Sequence, residues 1–259
     1  KKAALAAQDV INLGIYVLDS GDKVNTTASP ENILIRMNSE SDSFELYNFP
    51  VRFTEGKRTY MSGTYPTQNL VDAFQTINGY DVTLTANGWE SKDPDFDPAR
   101  PYDNRDPRFA RTILANGMDF KGTKIETFVG GADYSATRSD LGTCTGYYLR
   151  KYINEATSFT PEAEAEYMHH WVIYRYAETL LNAAELIAVH NCSGKGSADT
   201  YLNEVRTRAG LGTVSANAET LLHERHVEFM GEGKRYWDLI RFGQAASVLT
   251  PANDEGGYR

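Results

Sequence analysis

Tyr174-Arg175-Tyr176-Ala177-Glu178-Thr179-Leu180-Leu181-Asn182-Ala183-Ala184-Glu185 is the stretch that decides the fold class of this chain. With its flanks it places Trp171, Tyr174, Ala177, Leu181, Ala184 and Ile187 at steps of three and four, which is one face of an α-helix. The helix is expected to end near His190, before the turn Ser193-Gly194-Lys195-Gly196. A second helix is expected from about Ala198 to Ala209, with Tyr201, Leu202 and Val205 inward and Gly210 as its stop. The two make an antiparallel hairpin, the unit of helical-repeat proteins, which needs neighbours to bury its open faces. Two more helices are expected over about Ala218 to Met230 and Lys234 to Ala246.

Outward from this region the texture changes. Residues 161–259 form the helical zone. Residues 21–160 hold most of the Gly, Pro, Asn and Asp, with short apolar runs such as Asn32 to Met37, and read as a loop-rich zone with a few short strands. Inside it, Pro66 to Phe74 reads as a short helix, with Pro in the first turn and Leu70, Val71 and Phe74 on one face. Residues 1–20 read as the end of a helical-repeat region: Ala3, Ala6, Ala7, Val10 and Ile11 recur at helical spacing, and Gly14 suits a stop. The expected class is mainly α, with helix hairpins packed against a loop-rich domain.

The 259 residues allow one large or two modest domains at about 150 residues each. The balance of 26 basic against 35 acidic residues gives −9, a bulk field that repels phosphate and argues against sequence-blind binding of nucleic acid or anionic lipid. Two cysteines, Cys144 and Cys192, cannot build a disulfide framework; two free thiols or one bridge both remain open.

Most catalytic patterns fail. His223-Glu224-Arg225-His226 lacks one residue of the zinc-protease spacing, so its histidines fall at i and i+3 with no third ligand in sight. No phosphate-binding glycine loop or nucleophile elbow appears. Asp93, Asp95, Asp97, Asp103 and Asp106 lie in a proline-rich stretch that reads as a solvated loop. Alternate aspartates can gather around Ca²⁺, and Asp93, Asp95 and Asp97 carry that alternative. Glu224, Arg225, Glu228, Glu232, Arg235, Asp238 and Arg241 form a denser set. Arg225 to Glu228, Arg235 to Asp238 and Asp238 to Arg241 are each three apart, so they read as a structural ion network pinning two helices.

Several stretches together resemble the SusD/RagB family. Tyr174 to Glu185 resembles its R-x-A-E-x-x-L-x-x-A-E helix, and Leu202 to Leu211 its next helix. Glu224-Arg225 through Glu232-Gly233-Lys234-Arg235-Tyr236-Trp237-Asp238-Leu239-Ile240-Arg241-Phe242-Gly243 resembles its E-R-x-x-E … E-G-x-R-x-x-D-L-x-R-x-G signature. Pro66 to Phe74, Arg105 to Phe109 and Gly146 to Tyr152 match in order upstream, and six ordered blocks are more specific than any one.

The resemblance implies a fold of tetratricopeptide-like units with a looped domain packed on them. It implies an outward-facing outer-membrane lipoprotein that captures oligo- or polysaccharide and passes it to a SusC-like TonB-dependent transporter, without catalysis and with no resident cofactor. The family's N-terminal half, with its lipid-bearing Cys, has no counterpart here, and Gly256-Gly257-Tyr258 is read as the remnant of its closing stretch. The family's glycan contacts are aromatics on variable loops, which no motif carries over, so they are assigned by residue type. Trp89, in Asn87-Gly88-Trp89-Glu90, leads, with surface stacking and core packing both open; Tyr60, Tyr65, Tyr80, Tyr102 and Tyr134 follow. Trp171 and Trp237 are expected to pack within helices. Two other readings stand beside glycan capture: a helical-repeat protein that binds peptide or protein for uptake, and a hydrolase built on a carboxylate pair.

Overall fold

The computed structural model describes residues 2–19, 26–59, 63–134, 142–160, 167–192 and 196–249. In chain order these form α1 (Lys2–Leu13), β1 (Asn32–Ser41), α2 (Ser43–Asn48), α3 (Gln68–Ala73), β2 (Val82–Thr85), β3 (Gly88–Ser91), α4 (Arg108–Thr112), β4 (Ile113–Leu114), β5 (Asp119–Phe120), β6 (Thr123–Lys124), β7 (Tyr148–Leu149), β8 (Tyr167–Arg175), α5 (Tyr176–Ala188), α6 (Ala198–Ala209), α7 (Ala218–Glu228), α8 (Arg235–Arg241) and α9 (Ala245–Val248). The strands pair only in twos: β1 with β8, β2 with β3, β4 with β7, and β5 with β6. The protein is helix-rich, as expected.

Two compact units are present. Among the described residues the first gathers the chain up to Arg36, Ala73–Arg108, and 170–249; the second gathers Met37–Asp72 and Phe109–His169. This division does not follow the compositional zones 1–20, 21–160 and 161–259, because residues 73–108 join the helices.

The first unit is built on the α5–α6 hairpin, with α1 and α7 packed against α5. Its core holds Ala7, Ala177, Leu180, Leu181, Ala184, Leu202, Val205, Leu221 and Phe229. Small residues on α1 and α5 let the helices approach closely, and Leu and Val fill the seam. Gly210 ends α6 in the left-handed conformation at φ +90°. There the Leu211 amide donates to the Arg206 carbonyl at 2.9 Å, and the Gly210 amide donates to that of Thr207 at 3.0 Å. Asn217 starts α7 with a reciprocal cap: its Oδ1 accepts the Glu219 and Thr220 amides, while Thr220 Oγ1 accepts the Asn217 amide at 3.0 Å. The second unit has an aromatic core of Phe49, Phe120, Tyr148 and Phe159 with Leu114 and Ile125. Phe49 meets Phe120 and Phe159 edge-on, at 5.0 and 5.7 Å between centroids.

Two helix expectations are corrected. The helix expected to include Trp171 and Tyr174 begins at Tyr176; residues 167–175 are strand β8. Burial alternates over His170, Trp171, Val172 and Ile173, the period-two pattern of a strand, and the run is rich in aromatic and β-branched residues. His169 and His170 are therefore strand neighbours rather than helix neighbours. The single helix expected from Lys234 to Ala246 is two, α8 and α9, separated where Gly243 takes φ +67°.

Candidate functional site

The expected ion network exists, with different partners. Arg175 is fully buried in the first unit. It donates to Glu31 at 2.8 Å, to Glu228 at 2.7 Å, and to both oxygens of Glu232 at 2.9 Å. Its guanidinium lies 4.8 Å from the Phe229 ring centre. Arg108 binds Asp106 at 2.7 Å, Glu224 at 2.5 Å and Glu228 at 2.8 Å. Arg206 adds to Glu224, and Arg208 bridges Glu31 and Glu228. Arg225 does not pair with Glu228 as the spacing suggested. It donates to Asp238 at 2.9 Å and to Asn182 at 2.8 Å, and Asp238 also accepts from Arg241 at 2.7 Å. Arg235 is half-buried and feels the charge of Asp238 against the cost of its own burial. Three nearby arginines, Arg208, Arg175 and Arg108, outweigh the desolvation of Glu228 and hold its carboxyl well below the usual range. The buried carboxylates Glu31, Glu224, Glu228, Glu232 and Asp238 each answer an arginine, while Arg225, Asp238 and Arg241 also reach the wall of a groove.

His223 and His226 lie on α7. Burial lowers both, His226 to about 3, with the Arg235 charge acting in the same direction. Both are neutral at pH 7. Among the described residues no three His, Cys, Asp or Glu side chains converge as metal ligands.

A second set of polar and aromatic side chains of the first unit lies in the segment 75–106. Its frame is an antiparallel bridge of Thr76 with Arg105: the Ile77 amide donates to the Asn104 carbonyl and the Asp106 amide to the Gln75 carbonyl, each at 2.7 Å. Buried Arg105 ties the frame by donating to the carbonyls of Phe74 and Pro101. Within the chain that this bridge closes lies the β2–β3 hairpin, with Leu84 opposite Trp89 and Thr85 opposite Gly88. Gly88, at φ +112°, supplies the backbone angle that the tight turn needs. Thr85 Oγ1 accepts the Asn87 amide at 3.1 Å and fixes that turn.

Trp89 is thus on a hairpin strand rather than in an open loop, and it is half-buried. Its ring meets Tyr102 edge to face, at 5.6 Å and 78°. Tyr80 is 42% exposed, on the turn closed by the Thr76 amide donating to the Tyr80 carbonyl at 2.8 Å. The same segment forms a cavity of about 430 Å³ lined by Thr76, Ile77, Asn78, Asp93, Asp95, Phe96, Asp103 and Asn104. Tyr102 adjoins Asp103 in the chain, and the strand bearing Trp89 ends at Ser91, two residues before Asp93. Asn78 Nδ2 donates to Asp93 at 3.2 Å and to Asp95 at 3.3 Å. The Thr76 hydroxyl, followed by the Asp95 amide, holds the Asp93 carboxyl below its ordinary range. Asp97 turns away, accepting the Ala99 amide at 2.9 Å and Arg100 Nε at 3.0 Å. The three aspartates of the calcium alternative therefore divide between two sets of partners.

The other candidates lie elsewhere. Tyr65 and Tyr134 belong to the second unit. Tyr65 packs edge-on against Tyr148 at 5.8 Å as part of the aromatic core, and burial raises its phenol. Tyr134 is half-buried, and its backbone bridges to Thr143. Tyr60 lies outside the described residues. Trp171 and Trp237, expected to pack in helices, are 40% and 63% exposed. Trp237 is on α8 at a groove of about 630 Å³ lined also by Ala3, Ala6, Glu178 and Lys234. Cys144 and Cys192 are not joined in a disulfide.

Comparison with known proteins adds to this geometry. The profile of the SusD family matches residues 19–258. A SusD-like carbohydrate binding protein from Bacteroides fragilis superposes with a TM-score of 0.70 at 26% identity, over 95% of this chain and 49% of that one. Surface glycan-binding protein A from Bacteroides thetaiotaomicron, solved with laminarihexaose, gives a TM-score of 0.61 at 27% identity, over 100% of this chain and 53% of its own. The SusD-like protein P38 of Formosa agariphila is 29% identical over 96 residues, 32% of this chain and 19% of that protein. The chain spans about half the length of the solved relatives it matches.

Proposed function

The chain belongs to the SusD family, and on that premise we propose that it is a cell-surface protein that captures oligo- or polysaccharide without cleaving it. Its sugar-facing element is the Trp89–Tyr102 pair and the cavity that follows it. The observation that carries this reading is the combination found in the segment 75–106. A half-buried indole is braced edge-on by a tyrosine, and amide, hydroxyl and carboxylate groups of the same segment line a cavity. Sugar rings pack their C–H faces on aromatic planes, and their hydroxyls need close acceptors and donors. A rigid hairpin suits this task, because a ring already held in place loses little freedom when a sugar stacks on it. Tyr80 widens the aromatic surface of the same segment. The captured glycan would be handed to a SusC-like TonB-dependent transporter in the outer membrane, with the protein held there by a lipid anchor.

The test is affinity gel electrophoresis against a polysaccharide panel, followed by calorimetry and product analysis on each retained glycan. Retention without released product, lost in the double variant Trp89→Ala/Tyr102→Ala, is expected. Retention unchanged in that variant would remove the site; release of shorter sugars would remove the binding-only reading.

A further inference from the structure

From the cavity at 76–104 we infer that the glycan taken here is neutral where it meets the protein, and that uronate- or sulfate-bearing polysaccharides are excluded. The inference rests on the glycan-capture reading and adds the charge class of the ligand.

The polar lining consists of three carboxylates, two carboxamides and one hydroxyl: Asp93, Asp95, Asp103, Asn78, Asn104 and Thr76. Among the described residues no lysine or arginine lines the cavity. Over residues 75–106 the chain carries seven carboxylates against three cations. Two of those cations are committed: Arg105 is buried and donates to backbone carbonyls, and Arg100 pairs with Asp97 and Asp103. The third, Lys92, is exposed and is not among the lining residues. Hydrogen bonds, the Thr76 hydroxyl first, hold the Asp93 carboxyl below its ordinary range.

An anionic ligand needs a guanidinium, an ammonium or a convergent set of N–H groups to replace its water. This cavity offers mainly acceptors. A hydroxyl fits them, because each sugar O–H can donate to a carboxylate oxygen in a charge-assisted bond. A ligand carboxylate or sulfate placed here faces like charges at close range, and this repulsion is itself a source of specificity. The whole chain, at −9, adds to the same field.

The experiment measures the purified protein by affinity electrophoresis and calorimetry against laminarin and xylan, as neutral polymers, and alginate and carrageenan, as anionic ones, at about 20 mM and 300 mM salt. At least one neutral polymer is expected to bind, with both anionic ones about tenfold weaker or undetectable at low salt. The variant Asp95→Asn/Asp103→Asn, which replaces two exposed lining carboxylates by near-isosteres, is expected to narrow that gap from both sides, because it weakens the acceptors for neutral sugar hydroxyls and removes like charges that face an anionic ligand. Alginate or carrageenan bound as tightly as the neutral polymers, and weakened by Trp89→Ala, would overturn the charge class and leave glycan capture standing. No polymer of either class binding would overturn glycan capture itself.

Discussion

Two regions of the first unit carry dense charge, and they treat it in opposite ways. Around Arg175 the charges are buried, and each carboxylate answers an arginine. Around Asp93 the carboxylates gather at a cavity with no cation in its lining. Desolvated ions need partners at hydrogen-bond distance, so the first region closes on itself and fixes how its helices meet. Asp93 there is buried and already bonded, but Asp95 and Asp103 are exposed, and solvated acids keep acceptor capacity that a ligand can use. Charge density alone therefore says nothing about function; whether the acceptors are already satisfied does.

The largest expected effect lies in the closed region. Arg175→Ala would strip Glu31, Glu228 and Glu232 of a shared partner in the interior, at about 3–5 kcal/mol. Urea unfolding should show the midpoint falling sharply, with loss of the folded state at physiological temperature a realistic outcome. Arg175→Lys should recover only part, because an ammonium cannot reach all three carboxylates at once. A loss under about 1 kcal/mol would mean that the network is not what holds these helices.

Next comes the open region. Trp89→Ala should weaken glycan binding by about 2 kcal/mol, roughly thirtyfold in Kd by calorimetry, while lowering stability far less than the Arg175 change. Trp237→Ala makes the contrast sharper. Trp237 is the more exposed of the two, at 63%, yet it stands on the helical scaffold rather than beside the cavity. It should leave glycan affinity within about twofold. If Trp237 mattered more than Trp89, the cavity would be the wrong site.

The same contrast explains what could be read from the sequence. Helix α6 falls where its spacing and Gly210 put it, because local signals decide a helix that ends in a glycine stop. Strand β8 was missed because Trp171, Tyr174 and Ala177 happen to fall at helical steps, while the aromatic and β-branched run over residues 170–173 alternates at a period of two. The ion network could be recognised only as residue types. The spacing rule sees partners three and four apart on one helix, whereas Arg108 and Glu224 lie 116 positions apart. Glu31 carried no local mark at all. For the candidate site, the sequence singled out Trp89, Tyr102 and Tyr80, which the fold keeps in one segment, but Tyr65 also, which the fold spends on a core. An aromatic in a polar stretch cannot be assigned to surface or core until the chain that covers it is known.

The histidines of α7 give a milder test of the closed region. Burial drops His226 from an ordinary 6.5 to about 3. The unfolded chain therefore takes up a proton near pH 6.5 that the folded chain refuses. Stability is complete above that pH and falls on acidification through the window between the two values, by at most about 1.4 kcal/mol per pH unit for this group. Carboxylates such as Glu228, held low by arginine, begin to cost stability only below about pH 5. The interval from pH 6.5 to 5 thus isolates the histidines. His226→Gln should flatten the Tm profile over that interval and leave the steeper acid limb in place. A profile unchanged by the substitution would mean that His226 is hydrated in the folded state.

The smallest effect asks whether the network or the local cap holds α7. Asn217 accepts two amides of the first turn through one oxygen, and Thr220 returns the bond. Asn217→Ala should cost about 1 kcal/mol, while Asn217→Ser should cost little. Two to three turns on, Glu224, Arg225 and Glu228 are tied to partners on other segments of the same unit. The damage should therefore stop there: hydrogen exchange should speed up at Glu219 and Thr220 and stay slow from Glu224 onward. A rise along the whole helix would show that α7 is held from its N-terminus, and that the buried arginines order side chains without anchoring the backbone that carries them.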